Sequence, residues 1–167
     1  MSISTEDKQA WCKIGEELEI RFCERFGRRL GLSINPEKET NKYAPDLVLK
    51  SGKLADLKTQ AEPFYKAHTH GLNPLQCVSF NRKDFERYEE KYPEIKIYFW
   101  VRFTGGTQYG VSVPRMEAVY SISLPEISML WSDLLVPLHF YQKRLDDPVN
   151  AKSSLLLDTS MMKQEVP

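Results

Sequence analysis

The chain has 167 residues, with 23 lysine and arginine residues against 23 aspartate and glutamate residues, and its formal net charge is zero. This length is sufficient for one domain that buries a core without disulfides or bound metals. Proteins that bind nucleic acid strongly and without sequence preference are usually basic, so the neutral balance argues against that class and leaves local basic patches for such contacts.

The cysteines and the apolar runs bear on the cellular compartment. Cys12, Cys23 and Cys77 have no metal-binding spacing and cannot all pair with one another. This favours a reducing compartment, and we expect a cytoplasmic protein. No apolar run reaches the length of a membrane span, and residues 1–8 lack the apolar segment of a signal peptide, so we expect no membrane association.

Residues 5–29 have the spacing of an amphipathic helix. Apolar residues recur at steps of three and four and form one stripe, namely Trp11, Ile14, Leu18, Phe22 and Phe26. Ser4 or Thr5 can cap the start of this helix, and Gly27 or Gly31 can mark its end.

The glutamates of this helix differ in their position around its axis. At about 100° per residue, Glu19 falls at the edge of the apolar stripe, Glu16 lies further round, and Glu17 faces the opposite side. Glu19 is therefore the acid of this helix that we expect at a site bordering the core.

A β-hairpin is predicted next. Residues 30–35 predict a short strand, and the polar residues 35–42 predict a loop. The apolar runs Leu47–Leu49 and 54–57 flank Ser51-Gly52, which is a hairpin signature.

The length of the hairpin loop decides which side chains share a face. A three-residue loop, Ser51-Gly52-Lys53, pairs Val48 with Asp56 and Asp46 with Lys58, so that the three charged groups converge. A two-residue loop would put Asp46 on the face opposite Asp56. We expect the three-residue loop, because its glycine can adopt the left-handed conformation that such loops usually need.

These charged residues suit hydrolysis assisted by a metal ion. Asp46 and Asp56 offer carboxylate oxygens, which are the hard ligands that Mg²⁺ prefers. Lys58 follows Asp56 by two residues on the same face, where it can orient a water molecule or offset charge on a phosphoryl oxygen. The alternative is a set of exposed ion pairs, each contributing about 0.2–1 kcal/mol.

The sequence Pro45-Asp46, followed further along the hairpin by Asp56-Leu57-Lys58, resembles the core motif of the PD-(D/E)XK nuclease superfamily. The resemblance implies an α/β fold with a restriction-endonuclease-like αβββαβ core, in which helices flank a mixed central sheet. It also implies a Mg²⁺-dependent enzyme, with Mn²⁺ able to substitute, that hydrolyses phosphodiester bonds, mostly in DNA.

The same resemblance implies a role for each candidate catalytic residue. Asp46 and Asp56 match the metal ligands, and Lys58 matches the residue that positions or activates the attacking water. Many members of the superfamily also carry a first-helix glutamate, four residues after a glycine, that reaches the metal site. Gly15 and Glu19 match that form, so Glu19 is the third predicted metal-site acid.

Two other functions remain open. The chain can be a nucleic-acid-binding or assembly protein that keeps the nuclease fold without cleaving, which the neutral net charge favours. It can also be a structural interaction domain whose hairpin charges are surface pairs. Nucleases of restriction, recombination and repair share this fold, so the fold does not choose a pathway.

Two residues after the hairpin are predicted to bind substrate. Gln60 continues the alternation of the charged residues on the second strand, so we expect it to border the same site. Lys66 follows Phe64 and Tyr65, and the three together predict a stacking surface with a phosphate contact.

The segment that follows contains residue types that can bind zinc. His68 and His70 precede Cys77, but no fourth ligand has a suitable spacing. We therefore interpret the two histidines as part of a surface loop near the active face.

The remaining elements complete the predicted fold. They are a helix over residues 79–92, a central strand over 95–103, a strand over 108–113, a helix over 114–122 and an amphipathic segment over 127–135. Together with the first helix and the hairpin, their order is compatible with the αβββαβ core over residues 5–113.

The C-terminal residues predict an extension. We assign residues 1–142 to the nuclease-like domain and residues 143–167 to a tail, whose first part resembles a linker. Leu155-Leu156-Leu157 and Met161-Met162 are apolar, and we expect them to pack back on the domain. The alternative is a segment that docks a protein partner or forms a homodimer.

Overall fold

A computed structural model of the chain describes residues 8–141 and 153–167. The helix cap expected at Ser4 or Thr5, the domain boundary expected after residue 142 and the linker expected from residue 143 all lie outside these ranges. The chain divides into two compact units, Met1–Leu57 and Lys58–Pro167.

The first unit begins with the predicted amphipathic helix. Helix α1 (Lys8–Phe22) continues through a π-helical turn (Cys23–Gly27) into a last turn, α2 (Arg28–Leu30). Phe22 is fully buried, whereas Trp11 at the start of the predicted stripe is about half exposed. The apolar stripe is therefore buried at the C-terminal end of the helix and exposed at its start.

Two glycines fix the way in which the helix meets the first strand. A Cβ atom on Gly27 would lie 2.6 Å from the carbonyl oxygen of Leu32, so only glycine permits this close approach. Gly31 has a φ of 67°, the left-handed conformation that commonly ends a helix. The chain can therefore reverse from helix to strand over a very short distance.

Three strands follow in the first unit, β1 (Leu32–Ile34), β2 (Leu47–Leu49) and the start of β3 (Leu54–Gln60). Strand β2 pairs antiparallel with both β1 and β3. The polar segment between β1 and β2 contains a 3-10 helix (Pro36–Glu39). Leu47 on the middle strand is fully buried, which shows that one face of these strands contributes to the core.

The hairpin of β2 and β3 differs from the predicted register. Val48 pairs with Leu54, whereas the prediction pairs it with Asp56. The loop has the predicted three residues and a left-handed glycine, but it is Lys50-Ser51-Gly52, one position earlier than expected. The register thus shifts by two residues, which leaves every side chain on its predicted face because the strand period is two.

The second unit contains the rest of β3 and the remaining elements. These are β4 (Cys77–Asn81), α3 (Arg82–Lys91), β5 (Lys96–Phe103), β6 (Gly106–Gln108), β7 (Val111–Val113), β8 (Met116–Ser123), α4 (Leu124–Ser132), β9 (Leu138–Phe140), β10 (Ser153–Asp158) and β11 (Lys163–Val166). Strand β8 lies between β5 and β11, and β10 lies between β4 and β9. All of these strand pairs are antiparallel, and helices and strands together make this an α/β protein.

An aromatic core holds the second unit together. Phe80 on β4, Tyr88 on α3 and Phe99 on β5 are buried against one another, together with Leu155 and Leu157 on β10. Full burial of one such side chain contributes about 1.5–3 kcal/mol. The pairing of β10 with β4 therefore supplies a substantial part of this unit's core.

The helix predicted over residues 79–92 is confirmed, with a later start. It begins at Arg82, and the side chain of Asn81 caps it by accepting a hydrogen bond from the backbone N–H of Lys83. The preceding residues form β4, which the sequence did not predict as a strand. None of the helices within the described residues is long and apolar enough to cross a membrane.

The helix predicted over residues 114–122 is wrong. These residues contribute to β8, which pairs with β5 along its whole length. Because β5 is a nearly continuous run of buried apolar residues, pairing with it overrides the weak local helix preference. Pro125 lies in the first turn of α4, where its missing N–H leaves no helical hydrogen bond unmade.

The apolar part of the predicted tail packs back on the second unit, as expected. Leu155, Leu156 and Leu157 are buried, and β11 extends the sheet at β8. The side chain of Met161 remains about half exposed. A homodimer or a protein partner at this end of the chain stays a prediction.

Candidate active site

Two of the predicted acids meet at one ammonium group. Glu19 lies on α1 and Asp46 immediately precedes β2, and Lys38 lies on the 3-10 helix between β1 and β2. The Nζ atom of Lys38 is 2.5 Å from Oε2 of Glu19 and 2.6 Å from Oδ1 of Asp46. The three side chains are only 14–17% exposed, so solvent screens this cluster less than it screens a surface pair.

The backbone around Asp46 is fixed by hydrogen bonds from a buried asparagine. Asn35 donates its backbone N–H to the carbonyl of Asp46 and its side-chain amide to the carbonyl of Pro45, each at 2.9 Å. Oδ2 of Asp46 accepts the backbone N–H of Leu57 at 3.2 Å. The carboxylate therefore accepts an N–H group that would otherwise bond to the neighbouring strand at the end of the hairpin. Because Oδ2 is held in this way, Oδ1 faces Lys38.

Asp56 is the most deeply buried of the predicted acids, with 2% of its surface exposed. It lies on β3 next to Ala55, which pairs with Leu47. Extending this register by one residue puts Asp46 opposite Asp56, so both acids belong to one face of the hairpin. Burying a carboxylate at this depth is costly unless charges or hydrogen bonds compensate it.

The electrostatics of this region follow from the two carboxylates. Burial raises the pKa of the Cys23 thiol to about 11, with further contributions from Glu19 and Asp46. For Lys38, burial acts to lower the pKa, but the hydrogen bonds to Asp46 and Glu19 outweigh it and raise the pKa above its ordinary value. The two carboxylates therefore stabilise the positive charge that Lys38 carries between them.

Lys38 and Asn35 are the residues of this site that the sequence did not reveal. Both lie in or beside the polar segment read as an ordinary loop, where no periodic pattern distinguishes one lysine from its neighbours. The one available signal is the Asn35-Pro36 pair, because asparagine before proline is typical of a capped turn, and Asn35 does cap the 3-10 helix.

The other predicted site residues lie in the second unit. Lys58 Nζ is 2.8 Å from Oδ2 of Asp84, whose Oδ1 is 3.2 Å from Nη2 of Arg87. Gln60 donates to the carbonyl of Cys77 and accepts from the N–H of Ser79, both at 3.1 Å. The amide of Gln60 thus binds the backbone of β4, and its contact with substrate stays a prediction.

The expected stacking surface around Lys66 is only partly present. Tyr65 is buried in the core and Phe64 is partly buried, so neither ring lies free on the surface. Lys66 itself is exposed, and its ammonium lies 5.2 Å from the ring centroid of Tyr109. The ring beside this lysine therefore comes from a distant part of the chain.

His68 and His70 have different hydrogen-bonding partners. His68 Nδ1 is 2.8 Å from the carbonyl oxygen of Tyr65, and Nε2 of His70 is 3.2 Å from Nδ1 of His139. Over residues 8–141 and 153–167, no group of three or more histidine, cysteine, aspartate or glutamate side chains is arranged to hold a metal ion. The three predicted metal-site acids therefore do not form a complete ligand cluster.

The donor atoms around Lys38 nevertheless suit a divalent cation. One oxygen of Glu19 and one of Asp46 point to the same position, and carboxylate oxygens are the ligands that Mg²⁺ prefers. Mg²⁺ usually keeps several waters, so two or three protein ligands are sufficient.

The chain is similar in structure to a viral nuclease. No family model matches the chain, and no curated protein matches it in sequence. This neighbour is a solved structure of a nuclease from a fusselovirus, and its sequence is 12% identical to that of this chain. The superposition has a TM-score of 0.42 and covers 98% of this chain and 89% of the viral nuclease. The proposed function therefore depends on the side-chain geometry described above.

Proposed function

We propose that this protein is a Mg²⁺-dependent nuclease of the PD-(D/E)XK type that hydrolyses phosphodiester bonds in DNA. The observation that supports the proposal most directly is the convergence of Glu19 and Asp46 on one cationic nitrogen. The two acids come from separate elements, and their oxygens face one position that is occupied by positive charge. Such a position suits a divalent cation as well as an ammonium.

Glu19, Asp46 and Asp56 are the residues that would hold the metal ion, with Mn²⁺ able to replace Mg²⁺. The bound ion would stabilise the negative charge that grows on the phosphoryl oxygens during hydrolysis. The Lys38 ammonium already lies between two of these acids, so metal binding requires it to move away. Its flexible four-carbon stem allows this displacement, and the phosphate of a substrate would offer the ammonium a new partner.

The protein's own groups would fix the reacting atoms. The hydrogen bonds from Leu57 and Asn35 hold Asp46 in one orientation, which limits the rearrangement needed when substrate binds. Lys58, two residues beyond Asp56 on β3, would position the attacking water and compensate charge on the phosphate. Asp84 would hold the Lys58 ammonium in place between turnovers.

Cleavage of supercoiled plasmid and of labelled linear and single-stranded DNA tests this proposal. We expect cleavage by the full-length protein in Mg²⁺ or Mn²⁺, none in EDTA, and loss of cleavage in Glu19→Gln and Asp46→Asn. Glu17→Gln, on the exposed side of the same helix, is the matched control and should cleave as the wild type does. Equal cleavage by Asp46→Asn and wild type would refute the proposal.

A second function is favoured by Lys38 itself. A lysine that permanently neutralises the two acids would make the region a structural ion cluster, and the protein would then bind nucleic acid or a partner without cutting. Lys38→Met separates the two functions. In a nuclease, this variant should reach full activity at a lower Mg²⁺ concentration, because the competing ammonium is gone. In a non-catalytic protein, it should stay inactive at every Mg²⁺ concentration.

A further inference from the structure

The hairpin of β6 and β7 carries an exposed aromatic ring on an unfavourable backbone. Gln108 pairs with Val111, so Tyr109 and Gly110 form the two-residue turn. Both turn residues have positive φ, 50° for Tyr109 and 74° for Gly110. Asparagine or glycine normally fills the first position of such a turn, because other side chains are strained there. Tyr109 is nevertheless 66% exposed, so core packing does not explain its presence.

Two glycines hold the base of this hairpin close to its neighbours. A Cβ atom on Gly106 would lie 2.9 Å from the hydroxyl oxygen of Tyr65, and one on Gly105 would lie 3.1 Å from the backbone nitrogen of Arg115. Tyr65 begins the 3-10 helix Tyr65–His70 and is itself buried. The hairpin therefore packs against this helix.

Lys66 connects the tyrosine to a second group of rings. Its ammonium lies 5.2 Å from the centroid of Tyr109. Burial lowers the pKa of His139, and His70 and Lys66 lower it further. His139 meets the ring of Tyr141 edge-on at 4.8 Å, and Tyr141 is 40% exposed. The second unit thus has one exposed ring beside the Lys66 ammonium, that of Tyr109, and a second exposed ring beside His139, that of Tyr141.

We propose that Tyr109, Lys66 and Tyr141 form a binding surface for unpaired nucleotides, on which bases stack on the two rings and Lys66 pairs with a phosphate. The proposal rests on the nucleic-acid substrate of the proposed nuclease and adds that this substrate contains a single-stranded segment. Stacking on exposed tyrosines needs bases that are free of a duplex, and it is tolerant of sequence. It also accounts for a strained tyrosine at a turn position where asparagine would be unstrained.

The test measures binding of a fluorescein-labelled oligothymidylate, about 20 nucleotides long and so longer than typical single-strand sites, by fluorescence anisotropy in EDTA. We expect Tyr109→Asn to weaken binding about 5- to 100-fold, as loss of a stacked base does, while its thermal midpoint equals or exceeds that of the wild type. Tyr109→Phe keeps the ring and should bind within about twofold of the wild type. A structural role predicts the reverse, which is unchanged binding and a lower thermal midpoint.

The matched control is Leu134→Gly. Leu134 is the other non-glycine residue with positive φ in the described parts of the chain, and it is 91% exposed. This change should raise the thermal midpoint and leave oligothymidylate binding unchanged. If Tyr109→Asn fails to fold, Lys66→Gln decides, because it should weaken binding and reduce the slope of log affinity against log salt by about 0.7.

The outcomes separate this inference from the proposed function. The stacking surface is overturned if the wild-type protein does not bind oligothymidylate, or if the Tyr109→Asn and Lys66→Gln variants bind it as well as the wild type does. Either result counts against the surface even if duplex DNA is cleaved in Mg²⁺. Binding that depends on Tyr109, in a protein that cleaves no DNA in Mg²⁺, supports the surface and refutes the nuclease. A blunt duplex of the same length should bind more weakly than the single strand, and equal binding also overturns the inference.

Discussion

Two clusters of basic and carboxylate side chains, one in each unit, have opposite compositions. In the first, Lys38 lies between Glu19 and Asp46, so acids outnumber bases. In the second, Asp84 lies between Lys58 and Arg87, so bases outnumber acids. An acid-rich cluster favours a bound cation, and a base-rich cluster favours phosphate.

Burial separates the two clusters as well. The side chains around Lys38 are 14–17% exposed, whereas those around Asp84 are 24–31% exposed. Removing one member of the more buried cluster therefore leaves its partners less well solvated. The first cluster therefore depends more strongly on the positive charge at its centre, whereas the second is closer to an ordinary surface network.

The largest effect is expected from the buried acids. Asp46→Asn and Asp56→Asn keep the shape of each side chain and remove its charge, so each should lower Mg²⁺-dependent cleavage by at least about 100-fold. Plasmid nicking over a range of Mg²⁺ concentrations measures this loss. Circular dichroism should show an intact fold, and a variant that folds and nicks normally would contradict the proposed site.

Lys38→Met removes the base of the first cluster instead of one of its acids. It leaves two carboxylates facing each other with little solvent, and we expect the free energy of unfolding to fall by about 1–3 kcal/mol in EDTA. Urea unfolding measures this change. Millimolar Mg²⁺ should restore much of the stability, because the ion replaces the missing positive charge. The exposed Lys53→Met is the control and should change stability by less than about 0.5 kcal/mol.

The Cys23 thiol can report the charge state of the same cluster through its pKa, which burial and the two acids raise to about 11. The thiolate is the reactive form, so a raised pKa means slow alkylation at pH 8. Adding Mg²⁺ or introducing Asp46→Asn removes negative charge nearby, lowers the pKa and should speed alkylation. Mass spectrometry of iodoacetamide-treated protein measures the rate, with the exposed Cys12 as internal control. A rate unaffected by Mg²⁺ would argue against metal binding between the acids.

The smallest effect is expected in the second cluster. Asp84→Asn removes the acid between two partly exposed cations and should lower the free energy of unfolding by about 0.2–1 kcal/mol. This is less than the effect at Lys38 because solvent compensates the remaining charges. A thermal or urea denaturation series in rising salt measures it, and the difference should shrink as salt screens the cluster. A loss equal to that of Lys38→Met would remove the contrast between the units.

Much of the fold followed from local patterns. The first helix, the hairpin, helix α3 and strand β5 are all predicted from the sequence, because amphipathic spacing and β-branched or aromatic content are local patterns along the chain. The element predicted over residues 114–122 was wrong because its type depends on a partner. Residues 116–123 of β8 become a strand by pairing with β5, and no short window of sequence contains that information.

The chain alone determined which acids share a face and which helix glutamate borders the core, because strand alternation and helix rotation are periodic. Only the tertiary structure decided the hairpin register, the choice of Lys38 as the partner of Glu19 and Asp46, and the meeting of Lys66 with Tyr109. Those contacts join residues far apart in sequence, and they depend on how turns, glycines and buried surfaces bring separate segments together. Periodicity fixes the direction of a side chain, but packing chooses what it touches.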